Sequence, residues 1–208
     1  RALKGERRSK QKLAAQAIYI ERVLCQEAGG IQDQISSAFG GLNLLAFSKS
    51  GYEVQPVELS PERKKIFDSN LMLFYTKIQR TSSDIQKKIK KPEEITQNLL
   101  VLKKLALDGF DCLTNEGRNL DDFGLILDEA WKFKKGLSDA VSSSFIDQCY
   151  FRGVEAGAIG GKILGAGGGG FLLFYVPPAA QENVRAALND LVEIKFSFED
   201  KGSQVLLN

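Results

Sequence analysis

Apolar residues recur at helical spacing from the start of the chain. Leu13, Ala17, Ile20 and Leu24 form a stripe with Ala14 and Ile18 beside it, and Ser9 stands ahead of it. The pattern predicts a helix opened by Ser9 and stopped at Ala28-Gly29-Gly30. "DQISSAFGG" predicts a short helix from Asp33, closed by Gly40-Gly41. The runs "LNLLAFS" and "YEVQPVEL" flank Lys49-Ser50-Gly51 and predict a hairpin. Ser60-Pro61-Glu62 marks a helix start with proline at its first position, and "LMLFYT", Leu71 to Thr76, reads as a buried strand.

The middle of the chain is helical in pattern. Thr81 and Asp84 have capping-box spacing ahead of a helix that runs into "KKIKK", whose lysines read as a solvated face; Ser82 and Ser83 read as capping residues. Leu99, Leu102, Ala106, Phe110 and Leu113 form one amphipathic stripe, and Phe123, Ile126, Ala130, Phe133 and Leu137 the next. A helix is predicted from about Ser143 to Gly160, with Gly153, Ala156, Gly157 and Gly160 giving it a small-residue side. After a glycine cluster come a strand (171–176), a helix (179–190), a strand (192–198) and a last short strand (204–207). Mixed in this way, the elements predict an α+β sandwich, with helices on one face of a largely antiparallel sheet and a boundary near Ser60-Pro61.

Composition narrows the function classes. The 208 residues are 43% hydrophobic and 26% charged, which is globular material, and a net charge of +2 argues against a dedicated nucleic-acid or membrane-surface binder. No apolar run approaches the ~20 residues of a membrane helix, and no signal peptide is evident, so a cytoplasmic location is expected. Cys25, Cys112 and Cys149 are in no metal spacing and read as reduced thiols in half-buried helices. Histidine is absent, so acid–base chemistry falls to Asp, Glu, Lys, Tyr or Cys. The first residue is Arg1 and the sole methionine is Met72, so the chain is expected to be a processed product or a piece of a longer one.

"KILGAGGGGFLLFYVPP" then stands out. "GAGGGG" fits GxGxxG by letter, but that dinucleotide fingerprint needs strand, loop, helix, whereas here a helix-like segment precedes and a strand follows. No Gly-Lys-Ser/Thr ends it, so it is not a Walker A loop. It holds no serine or charge and abuts Leu164 and Phe171, unlike a flexible linker. The expectation is a conformationally demanding loop whose amide N–H groups form an anion nest. From spacing alone Asp33 reads equally as a helix N-cap or as a carboxylate held at a helix N-terminus and aimed into a cleft.

"LGAGGGGF" before an apolar strand resembles the third motif of the GHMP kinases, the superfamily of galactokinase, homoserine kinase, mevalonate kinase and phosphomevalonate kinase. "GGIQDQISSAFGGLN", Gly29 to Asn43, resembles the segment that carries the catalytic aspartate in its sugar-kinase branch. Together with "LFYT" and the arginine after it, these stretches are most similar to the bacterial D-glycero-D-manno-heptose 7-phosphate kinases, through nearly the whole chain.

The resemblance implies a two-layer α+β sandwich, the ferredoxin-like C-terminal domain of that family over 61–208, preceded over 1–60 by a remnant of its N-terminal domain. It implies Asp33 as the base or orienting group for a sugar hydroxyl. Gln34, Gly30, Thr76 and Arg80 would touch substrate, with Arg80 equally readable as a surface arginine. Gly165, Ala166, Gly167, Gly168, Gly169 and Gly170 would form the phosphate-site loop, sharing a pocket with Asp33. ATP and Mg²⁺ are the implied cofactors, with no residue singled out as a metal ligand.

The acceptor would be the anomeric hydroxyl of a heptose 7-phosphate. L-Fucokinase, arabinokinase and galactokinase types stay open, as does a non-catalytic sugar- or partner-binding remnant. The family's Gly-Leu-Gly-Ser-Ser phosphate loop is not in this sequence. The chain alone is therefore expected to be inactive or nearly so, and to self-associate over the surface that the missing segment would cover.

Overall fold

The computed structural model describes residues 9–80, 85 and 88–204. The chain divides into two compact units, 1–58 with 197–208, and 59–196. The capping spacing of Thr81 and Asp84, the roles of Ser82 and Ser83 and most of the strand expected over 204–207 lie outside the described residues.

In the first unit α1 (Lys10–Tyr19) is capped by the Ser9 hydroxyl, which accepts from the Lys12 N–H. It ends in a π turn at Ile20–Leu24, short of the glycines at 29 and 30. The apolar stripe stops at Leu24, and Gln26, at φ 55°, turns the chain away. Cys25, just past that turn, is exposed rather than half-buried, whereas Cys112 and Cys149 are buried and burial pushes both thiols up. α2 (Gln32–Phe39) ends at Gly40, whose φ of +67° a side chain would resist.

β1 (Asn43–Ser48) and β2 (Gly51–Pro56) pair antiparallel around a two-residue turn at Lys49-Ser50. Ala14, Ile35 and Ala38 make a small core under Leu45, Tyr52 and Val54. The Gly41 N–H donates to the Glu199 carbonyl and Ser203 to that of Ser37, so residues 197–204 return to this unit instead of finishing the second.

The second unit runs α3 (Pro61–Ser69), β3 (Leu71–Tyr75), α4 (Pro92–Thr114), α5 (Asp121–Lys135), α6 (Ser144–Glu155), β4 (Gly160–Ile163), β5 (Phe171–Tyr175), α7 (Gln181–Ala187) and β6 (Val192–Ile194). Its sheet has the order β4-β5-β3-β6, antiparallel throughout. Register puts Met72, Phe74, Leu172, Phe174 and Ile163 on one face, and they bury against Trp131, Ile146, Cys149, Val184 and Leu188. This is the expected α+β sandwich with a helical layer on an antiparallel sheet.

In this unit β6 stops at Ile194, short of the strand expected to 198, and a helix differs as well. The helix predicted to reach Gly160 stops at Glu155, and Gly160–Ile163 is a strand. Gly157, at φ +113°, leaves the helical path. The small residues beyond it serve close approach in a sheet: a Cβ at Gly160 would strike the Gly124 carbonyl, and one at Gly161 the Leu173 carbonyl. The glycine cluster therefore joins two paired strands.

Candidate functional site

The loop begins where β4 ends and closes with the Leu164 N–H donating to the Phe171 carbonyl at 2.8 Å. Gly165, Gly167, Gly168 and Gly170 all have positive φ, between 62° and 99°. At the crown, sterics add a second demand. A Cβ at Gly167 would lie 2.7 Å from the Val141 carbonyl oxygen, one at Gly168 2.7 Å from Ile85 Cδ1, and one at Gly169 2.6 Å from the Ile78 carbonyl oxygen.

Two loop amides are spent on the scaffold, Gly168 N–H to Val141 O at 2.8 Å and Gly170 N–H to Ile78 O at 2.9 Å. Among the described residues the N–H groups of Gly165, Ala166, Gly167 and Gly169 have no partner. These four residues, with Gly170, line a cavity of about 680 Å³. Gly165, Ala166 and Gly167 are successive and alternate in the sign of φ, and unpartnered amides so arranged compose an anion nest.

Arg80 lines the same cavity, as do Tyr75 and Phe171, whose rings lie 5.2 Å apart. The structure thus brings Arg80 and the glycine loop together. Thr76 does not line it. It is 2% exposed, and its hydroxyl donates to the Gly170 carbonyl at 2.9 Å, so it clamps the loop. Gly168 also turns inward, onto Ile85 and Ala140.

At the loop's root the Lys134 ammonium donates to the carbonyls of Ile163, at 3.0 Å, and Gly165, at 2.6 Å. Burial, and then the neighbouring Lys162, bring Lys134 down to about 7. Burial likewise lowers Lys162.

Asp33 belongs to the first unit. It sits in the first turn of α2 behind Ile31 at the N-cap position, so it is not the cap. Among the described residues no hydrogen bond engages its carboxylate, which lines a second cavity, of about 350 Å³, with Glu21, Gln34, Ser37 and Ser203. Gln34 Oε1 is buried without a partner among the described residues, an acceptor awaiting a donor. Gly30 is exposed and lies outside that lining.

Two polar groups escaped the sequence reading. Glu21 follows Leu13 and Ala17 at intervals of four along the same helical face, a spacing that could have pointed to it. Lys134 had only its place in the last turn of α5, where basic side chains meet free carbonyls. No group of three or more metal-ligating side chains occurs among the described residues. The Glu21 carboxylate is nonetheless suited to Mg²⁺, which is held by one or two carboxylates together with substrate phosphates.

Comparison with known proteins bears on the fold and the family. The family described as GHMP kinases C terminal matches residues 110–194. The chain is 31% identical over 180 residues to a D-glycero-alpha-D-manno-heptose 7-phosphate kinase of Campylobacter jejuni, covering 85% of this chain and 52% of that protein. It is 28% identical to the bifunctional fucokinase/GDP-fucose pyrophosphorylase of Arabidopsis thaliana, over 89% of this chain and 18% of that one. A D-glycero-D-manno-heptose 1-phosphate kinase structure from Bacteroides thetaiotaomicron superposes with a TM-score of 0.73 at 26% identity, over 96% of this chain and 56% of that one. The chain thus spans about half the length of the heptose kinases it matches. Residues 110–194, which hold the glycine loop and three of the four strands of the second unit's sheet, thus match the C-terminal domain of the GHMP kinase family.

Proposed function

We propose that the protein transfers phosphate from ATP to a sugar or sugar phosphate, a heptose 7-phosphate at its anomeric hydroxyl. One observation carries the reading. Four unpartnered loop amides and the Arg80 guanidinium line one cavity, an arrangement suited to phosphate oxygens.

Asp33 would orient the acceptor hydroxyl and take its proton. An anomeric hydroxyl is more acidic than an ordinary alcohol, which suits a carboxylate base. Gln34, with its unpartnered buried oxygen, would accept from a sugar hydroxyl. Glu21, in the same cavity, would help hold Mg²⁺, which when bound neutralises charge on the ATP phosphates. In this reading the glycine loop and the Asp33 carboxylate serve the same phosphoryl transfer, and the domains divide near residue 60.

The activity is proposed for a protein of the length of the heptose kinases above, acting in the cytoplasm; the chain alone is proposed to be inactive or nearly so. The 28% identity to the plant fucokinase favours L-fucose as the alternative acceptor. ATP turnover measured with heptose 7-phosphate, L-fucose and galactose tests the assignment. Heptose 7-phosphate is expected to drive it, and turnover with none of the three would overturn the sugar-kinase reading.

Self-association is proposed through Tyr19, Ile20, Val23 and Leu24, each more than half exposed. Light scattering of the chain at high concentration is expected to give a dimer or larger species, and a monomer would refute it. Among the described residues no helix is long and apolar enough to cross a membrane.

A further inference from the structure

The ends of the glycine loop are held differently from its crown. At Gly167, Gly168 and Gly169 neighbouring atoms crowd the backbone, and two loop amides are fixed to carbonyls of the scaffold. At Gly165 the φ is +62°, yet nothing lies within 4 Å of where a Cβ would be. Packing therefore does not dictate the turn at that residue. A side chain does: Lys134 Nζ reaches from α5 to the Ile163 carbonyl, the last of β4, and to the Gly165 carbonyl, the first among the glycines.

We propose that the Lys134 ammonium is the positioning group of the glycine loop, holding its root through these two carbonyls and so setting the direction of the amides that follow. The proposal rests on the reading of that loop as the phosphate wall only for its functional consequence; the positioning itself is a property of the chain without any ligand.

The electrostatic setting makes this pin responsive to pH. Lys132 and Lys135, its neighbours on α5, pair with Asp128 and Asp147. Lys134 pairs with no carboxylate among the described residues, and the charge that bears on it is Lys162 of β4. Burial and that like charge oppose its protonation, while the two carbonyls favour it. A neutral amine still donates, but a hydrogen bond from a charged donor is roughly twice as strong as one between neutral groups. As pH rises through the Lys134 midpoint, the two bonds weaken together and the loop root loosens.

Carbon-detected NMR on the full chain without ligand tests this. The ¹³C carbonyl signals of Ile163 and Gly165 and the Lys134 ¹³Cε signal are followed from pH 5.5 to 10, in the unaltered chain, in Lys134→Arg and in Lys134→Met. The expected result is one shared midpoint near neutrality for all three signals in the unaltered chain. Lys134→Arg is expected to keep the carbonyl positions without titration, and Lys134→Met to shift both carbonyls while the Phe174 signals of the core strand stay in place. Carbonyl signals that stand still while Lys134 titrates, or a Lys134→Met spectrum unchanged at Ile163 and Gly165, overturn the proposal. Should Lys134→Met not fold, the titration of the unaltered chain and of Lys134→Arg decides by itself. No phosphate ligand enters the experiment, so failure of the kinase reading leaves its outcome untouched.

Discussion

Thr76 and Gly170 are joined twice: the amide N–H and the hydroxyl of Thr76 both donate to the Gly170 carbonyl at 2.9 Å. The same hydroxyl accepts from the Ile78 N–H at 3.4 Å, and the Gly170 N–H returns a bond to the Ile78 carbonyl. The end of β3 is thereby sewn to the end of the loop. Thr76→Val keeps the shape and removes the hydroxyl, so we expect a loss of about 1–2 kcal/mol in stability. Chemical denaturation reads the loss, and faster amide exchange over 165–170 is expected with it. Unchanged exchange would mean that the hydroxyl does not hold the loop.

Two glycines of the loop separate conformational strain from crowding. Gly168 and Gly170 both have positive φ, but only Gly168 is hemmed in, by Ile85 Cδ1 at 2.7 Å and the Ala140 carbonyl at 2.9 Å. Alanine at either position meets the left-handed penalty of about 1–2 kcal/mol. At Gly168 the clash is added, so Gly168→Ala is expected to lower the melting temperature more than Gly170→Ala and to weaken phosphate binding further. Equal effects at the two sites would contradict the crowded geometry.

Away from the site, Arg63 closes the end of α4. Only 7% exposed, it donates to the carbonyls of Leu113, Cys112 and Arg118 at 2.9, 2.6 and 2.9 Å. Arg63→Met fills much of the volume but leaves those acceptors without their charged donor. A loss of about 3 kcal/mol is expected from denaturant titration. A loss under about 0.5 kcal/mol would show that water replaces the guanidinium without cost.

Acid should weaken the second unit in a defined order. The Arg152 guanidinium, bound to both Asp190 oxygens at 2.9 and 3.0 Å, holds Asp190 below the usual carboxylate range. At Glu193 burial pushes the carboxyl up, but hydrogen bonds from Arg185 and Lys195 reverse this and leave it lowered. Groups depressed in the folded state contribute stability that is full above their unfolded values, about 4, and lost as pH falls through the lower folded ones. A denaturation series from pH 6 to pH 2 is expected to show stability falling below about pH 4, with a smaller fall in Asp190→Asn. An identical fall in that variant would remove the Arg152 pair from the account.

How far the fold was legible follows from the range of the interactions involved. The Ser9 cap, the Lys49-Ser50 turn and the Gly40 helix end are written in neighbouring residues, and the structure has them where the pattern placed them. β4 was hidden because Gly160 and Gly161 carry no side chain to show alternation; contact with Gly124 and Leu173, distant in sequence, requires them to be glycine. The family resemblance implies Thr76 as a substrate contact, but no motif shows the destination of its hydroxyl, 94 residues away. The glycine cluster announced an unusual backbone; Lys134 at its root showed only a place in the last turn of α5, shared with Lys132 and Lys135.

In the proposed phosphoryl transfer Asp33 takes the proton of the acceptor hydroxyl. Asp33→Asn preserves size and removes the base. Its test is turnover of ATP and heptose 7-phosphate in a protein of the heptose kinases' length, with ATP affinity measured alongside by calorimetry. A positioned general base contributes about 10²–10⁴ in rate, so kcat is expected to fall at least about 100-fold with ATP affinity unchanged. Turnover retained within about threefold, well short of that range, would contradict the account.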